Sequence, residues 1–247
     1  MLLQNSLQKT SFLICLSCLV SLSTIVPINS HHGVLLAQNP ITTKVRFKLP
    51  NRGTPGGTIG GATRSTSKTL TAIVPQKKIG LTINKSPLLF VYIPKNEANQ
   101  GKLVISDEEN KTLYERFLPV QKTEGILMIK VPEKLNLSEG KPYKWEFFLL
   151  NENGEQIGKE KTFGWVEKVS LNSNLEKINQ PNLDRWETVN ILAEEGIWQD
   201  TLEQLAFLHL ADPDNTEIKQ EWTELLKFVG LNNIANSEIL PYVIEVQ

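Results

Sequence analysis

The sequence predicts an α+β protein: an all-β, immunoglobulin-like sandwich of about seven antiparallel strands, followed by a small α-helical domain of three helices. Three observations carry this expectation. Short apolar runs separated by turn residues fill 69–170, and no helical-period segment of ten or more residues stands between them, so a sandwich is easier to build than a parallel α/β sheet. After Leu171 the apolar period changes from 2 to 3.6. Within Leu137-Ser138-Glu139-Gly140-Lys141-Pro142-Tyr143-Lys144-Trp145-Glu146-Phe147, the aromatic residues Tyr143, Trp145 and Phe147 fall on one strand face. Tyr143 also stands six residues after Leu137, the spacing of a tyrosine corner, whose phenol bonds back to the chain at the edge of such a sandwich. Tyr143 and Trp145 are therefore expected to be buried.

Residues 1–37 have the layout of a secretory signal. Lys9 closes a short basic region, and 12–26 is apolar, diluted by Ser17, Ser21, Ser23 and Thr24. That stretch is shorter than the roughly 20 residues a spanning helix needs. An exported protein is expected, periplasmic or extracellular, with cleavage after Ala37 and no transmembrane span afterwards. Both cysteines, Cys15 and Cys18, lie in the leader, so the mature chain is expected to have no disulfides, thiol chemistry or cysteine-held metal. With 26 basic and 27 acidic residues there is no basic field to attract nucleic acid.

Residues 38–68 read as a flexible, Gly-rich arm: Gly53, Gly56, Gly57, Gly60 and Gly61 punctuate its centre. A phosphate-cradling loop would need a Lys-Ser/Thr pair and a helix next. Arg64-Ser65 stands there instead, and a strand-like run ended by Pro75 follows. In 69–170 the predicted strands are 70–74, 88–93, 102–106, 112–118, 126–131, 143–150 and 161–169. Asp107-Glu108-Glu109-Asn110 and Asn153-Gly154 supply two of the turns.

Residues 171–183 read as a linker and 184–230 as the helical domain. The first helix opens with Asp184 and Glu187 in capping-box spacing and stops at Gly196. The second runs from about 198 to 210. Asp214 and Glu217 start the third, in which Ile218, Trp222, Leu225, Leu226 and Val229 form one stripe. With Asp212-Pro213-Asp214-Asn215 between them, the last two look like a tetratricopeptide-type hairpin, although one copy makes no array. Residues 231–247 form a C-terminal tail whose apolar run can lie back on the protein.

Catalytic sets are missing. His31 and His32 lie in or beside the leader, which leaves His209, near a helix C-terminus where a cation offsets the dipole. A carboxylate pair for glycoside hydrolysis would have to come from 107–109, 194–195, or Asp200 and Glu203 on a helix; the first two clusters read as solvated charge at a hairpin tip and a helix end, with weak calcium binding at 107–110 as a further option. Of the five tryptophans, Trp145, Trp186 and Trp222 have in-phase apolar neighbours and read as core. Trp165 and Trp198, with Asp200, are the candidates for a partner or glycan surface. No cofactor is expected.

Several stretches together resemble an exported cyanobacterial family known as domain of unknown function 928. They are Leu70-Thr71-Ala72-Ile73-Val74-Pro75, Gly80-Leu81-Thr82, Pro87-Leu88-Leu89-Phe90-Val91-Tyr92-Ile93-Pro94, Tyr143-Lys144-Trp145, Gly196-Ile197-Trp198-Gln199-Asp200, the Gly-rich arm and the closing Trp222 to Leu231. Where that pattern carries cysteines, this chain has Ser65-Thr66 and Leu149-Leu150-Asn151, so a role resting on them is not expected. The resemblance implies a compartment and an architecture but no activity. The expected function is a non-enzymatic binding or scaffold module of the cell envelope, with an envelope protein or glycan as partner. The alternative is a cell-wall carbohydrate-binding or carbohydrate-active protein using Asp or Glu carboxylates.

Overall fold

Nine strands and three helices form among the described residues, and their order already departs from a plain antiparallel sandwich. The structure is a computed structural model and describes residues 45–55, 68–120, 122 and 124–245, all within one unit, Thr42–Gln247. The leader, both cysteines, His31, His32 and most of the Gly-rich arm lie outside the described residues. The strands are β1 (Thr71–Ala72), β2 (Gly80–Thr82), β3 (Leu88–Ile93), β4 (Gln100–Ser106), β5 (Thr112–Pro119), β6 (Gly125–Lys130), β7 (Pro142–Leu150), β8 (Gln156–Lys168) and β9 (Ile239–Glu245). The helices are α1 (Arg185–Glu194), α2 (Trp198–Ala211) and α3 (Thr216–Phe228).

Two sheets result, β1-β3-β6-β9 and β2-β8-β7-β4-β5. Two pairings, β2 with β8 and β6 with β9, are parallel, which corrects the expectation of about seven antiparallel strands. Both added strands carried weak signals. β2 has three residues and begins with glycine, and β9 contains Pro241, a residue that removes a ladder donor and so argues against a strand.

The four-stranded sheet is buried on both faces. Every residue of β3 is buried, and its alternate side chains enter different cores. Leu89, Val91 and Ile93 meet Leu103, Ile105, Trp145 and Phe147 of the five-stranded sheet. Phe90 and Tyr92 meet Trp198, Leu202, Leu205, Trp222 and Leu226 of the helices. The molecule thus has three layers: sheet, sheet, helices. Tyr143 (7% exposed) and Trp145 (0%) sit in the inter-sheet core, and the Tyr143 hydroxyl accepts a 3.1 Å hydrogen bond from the Ser138 amide. Gly164 makes room for Trp145, because a Cβ there would lie 2.7 Å from the indole ring.

The helices form as their caps predict at one end and differ at another. Asp184 and Glu187 close the capping box of α1, whereas α3 is capped by Asn215, which accepts from Glu217 and Ile218, and not by Asp214. Residues 184–230 are not a separate domain, because α2 and α3 share one core with β3 and β6. The 171–183 segment likewise holds a 3-10 turn, Leu175–Asn179, whose Leu175 packs with Leu192 and Ile197. Residues 45–52, assigned to the arm, dock on the helical layer. Phe47 meets Trp198 edge-on at 4.9 Å, the Lys48 amide donates to the Ala193 carbonyl at 2.9 Å, and the Val45 amide donates to Glu221 at 2.8 Å. Gly196 is required at that contact: its φ is +73°, and a Cβ would lie 2.6 Å from the Lys48 carbonyl oxygen.

One shared core predicts one unfolding event. Leu202→Ala, at a fully buried helix position, should cost about 2–5 kcal/mol. In urea, helical circular dichroism and tryptophan fluorescence should still fall together; a helix transition separated from the sheet transition would contradict the shared core.

Candidate functional site

The three residues expected at a partner or glycan surface are all interior: Trp165 is 5% exposed, Trp198 0% and Asp200 3%. This corrects the surface role. Trp198 opens α2 against the central sheet, where its indole N–H donates to the Ile73 carbonyl at 3.0 Å. Its helix-start position suggested exposure, but the helix lies on a sheet face rather than in solvent. Trp165 belongs to β8, which pairs with β2 at the next residue, Val166 opposite Gly80.

Asp200 in the first turn of α2 clamps the helix to the bend after β2. Its carboxylate accepts from the Ile83 amide at 3.2 Å and from Asn84 Nδ2 at 2.6 Å, and the Thr82 hydroxyl also bonds to it. Burial pushes its pKa up to about 7; Glu203 adds to the rise and the bonds from Thr82 and Ile83 oppose it. With these donors supplied by the fold, Asp200 is a structural pin.

A cleft of about 460 Å³ is built at the other end of α2, a size within the range of small-ligand sites. Its lining includes His209 near the end of α2, Lys219, Trp222 and Thr223 on α3, and Asn236 and Ser237 in the segment leading to β9. The placement follows from the fold. The apolar stripe of α3 turns Trp222 toward the sheet, where its ring lies 6.4 Å from that of Phe90. Pairing of β9 with β6 then draws 235–238 across α3, and Thr223 Oγ1 donates to the Ala235 carbonyl at 3.4 Å and to Asn236 Oδ1 at 3.2 Å.

Three residues lining this cleft each hold a buried polar atom that meets no partner in the protein: Trp222 Nε1, His209 Nδ1 and Ser237 Oγ. An orphaned buried donor costs about 1–3 kcal/mol. The indole N–H can only donate, and Trp222 is only 3% exposed. Burial and the neighbouring Lys219 ammonium push the His209 pKa down, so the imidazole favours its neutral form. That replaces the dipole-compensating cation expected from its position near the end of the helix. Lys219 and the Trp222 N–H make the cleft rich in donors, which suits a ligand presenting acceptor oxygens. Glu238 stands at the exposed rim.

Sequence reasoning missed this cleft. Trp222 read correctly as core, but nothing in the pattern shows which way its N–H points, and Ser237 joins the site only through the return of the tail. No group of three or more His, Cys, Asp and Glu residues is placed to hold a metal among the described residues. At the 107–110 turn, Asp107 Oδ1 accepts from the Lys111 amide at 2.8 Å, and the turn closes on itself.

Layered sheets with a helical cover and a donor-rich cleft define a mixed α+β protein that buries polar groups around one pocket. The model of the family Domain of Unknown Function (DUF928) matches residues 54–239, and the chain belongs to this family. A comparison with curated proteins finds no match. No helix among the described residues is long and apolar enough to cross a membrane.

The Asp200 pin carries a pH signature. Its folded pKa is raised from 3.8 to about 7, so its contribution to stability is fully present below about 3.8 and lost as pH rises through about 7, with a slope of at most about 1.4 kcal/mol per pH unit. Asp200→Asn resembles the protonated form, so its stability should rise relative to the parent protein between pH 5 and pH 8. Urea midpoints measured across that range check this, and parallel profiles for the two proteins would refute it.

Proposed function

We propose that this protein is a non-enzymatic, exported binding module of a cell envelope, and that its cleft holds a carboxylate-bearing envelope component such as an acidic glycan. The observation that carries the reading is that Trp222, His209 and Ser237, which line one pocket, each hold a buried polar atom without a protein partner: Nε1, Nδ1 and Oγ. A carboxylate would accept from the indole N–H and the Ser237 hydroxyl, while Lys219 offsets its charge. His209, favoured in its neutral form, serves as a hydrogen-bonding wall. The lysine-headed apolar leader supports export, and the family resemblance implies a cyanobacterial envelope.

The same reading takes the two facing sheets as an immunoglobulin-like sandwich, supported by the hydrogen bond from Ser138 to Tyr143. It takes α2 and α3, joined at Asp212-Pro213-Asp214-Asn215, as a tetratricopeptide-type hairpin.

Titration of ¹⁵N-labelled protein with galacturonic acid tests the ligand class. The Trp222 indole N–H resonance should shift saturably with the acid and not with galactose. Trp222→Phe, which keeps the ring and removes the donor, should weaken binding by about 10-fold or more. An indole resonance unmoved by the acid, or equal binding by the Phe variant, would overturn the assignment.

A further inference from the structure

A second concavity, where the arm meets the end of α1, presents a different chemistry and stands independently of the cleft just described. It is a groove of about 500 Å³ between residues 48–52, the end of β8 and the C-terminal end of α1. Its floor holds Glu167, a carboxylate only 2% exposed. A buried carboxylate requires compensation for each oxygen. Glu167 Oε1 accepts from Arg52 Nη1, but Oε2 is buried and meets nothing in the protein. Arg52 could grip both oxygens through its planar fork. It engages one, and its side chain is 51% exposed.

We propose that this groove is a binding site for a primary ammonium on an apolar stem, received by Glu167 in competition with Arg52. Leu49, Leu81 and Val169 line the groove and supply apolar wall for the stem. Glu194 and Glu195 lie on the same groove, so with Glu167 its carboxylates number three against the two cations Lys48 and Arg52. Glu195 is already engaged, accepting from Asn172 Nδ2 and Asn174 Nδ2 at 2.7 Å each, which leaves Glu167 Oε2 as the buried, unsatisfied acceptor. Arg52 is itself a cation on a short aliphatic stem and shows which chemistry the carboxylate accepts. Burial pushes the Glu167 pKa up and the charge of Glu108 adds to the rise, while Arg52 opposes it.

The probe is 1,5-diaminopentane, titrated calorimetrically into the purified full chain at low salt, with 1-pentanol as the uncharged control. Saturable binding of the diamine and none of the alcohol is expected. Arg52→Ala removes the competing cation and should bind the diamine at least tenfold more tightly. Glu167→Gln should lose the binding while keeping the circular dichroism spectrum of the parent. No saturable binding by the parent or the Arg52 variant overturns the proposal, as does unchanged or weaker binding by the Arg52 variant. Unchanged binding by a folded Glu167→Gln protein also overturns it. Should the Glu167 variant fail to fold, the Arg52 variant alone decides.

Discussion

Two-sided burial of the β1-β3-β6-β9 sheet is the constraint on which the rest of the molecule depends. One face of that sheet makes the inter-sheet core and the other makes the helical core. A strand that serves two cores cannot alternate apolar with polar residues, and β3 reads Leu-Leu-Phe-Val-Tyr-Ile without interruption. A slip of one residue in its register would exchange the contents of both cores at once. The pairing with β6, Leu88 opposite Lys130 through Ile93 opposite Gly125, is thus specified from both sides. The polar tip of Tyr92 finds its partner at the end of the strands, where its hydroxyl donates to Glu124, just before β6, at 2.8 Å.

How legible this was in the sequence depended on whether a signal was local. The cap of α1, the turn at Asn153-Gly154 and the tyrosine spacing at Leu137–Tyr143 are short-range patterns, and each has its counterpart in the fold. The continuous apolar run of β3 was read as a strand, but its second meaning, burial on both faces, was missed, and with it the union of helices and sheet into one core. Trp198 and Asp200 were misplaced for the same reason: both stand at a helix start, a position that faces solvent unless a sheet lies beneath it. The docked segment 45–52 was hidden by the glycines that follow it, which dominate the local composition. Neither the cleft at Trp222 nor the groove at Glu167 has a sequence signature, because each joins residues more than a hundred positions apart or turns on the direction of a single polar atom.

Buried polar groups are partly satisfied and partly not: Trp145 Nε1 and the Gln199 side-chain amide lack partners inside the protein, and so do atoms of four residues that line concavities. Asp200 is surrounded by donors from Ile83, Asn84 and Thr82 and fixes α2 to the sheet. Thr162, fully buried, accepts from the Ala72 amide at 2.6 Å and ties β1 to β8 across the two sheets. Trp222, His209, Ser237 and Glu167 each keep an atom unspent, and each of those atoms belongs to a residue lining a concavity. Each such group costs the fold about 1–3 kcal/mol.

The parallel pairing of β9 with β6 also sets an order on how the chain acquires its structure. β6 ends at Lys130, and its neighbour begins at Ile239, after all three helices. Until those final residues arrive, the hydrogen-bonding edge of β6 is open and the helical core lacks Ile239. Closing so long a loop costs entropy before any contact rewards it, and pairings this distant in sequence slow folding. A chain emerging from synthesis therefore lingers without its completed central sheet, its β6 edge open to pairing with any other strand until its own last strand arrives.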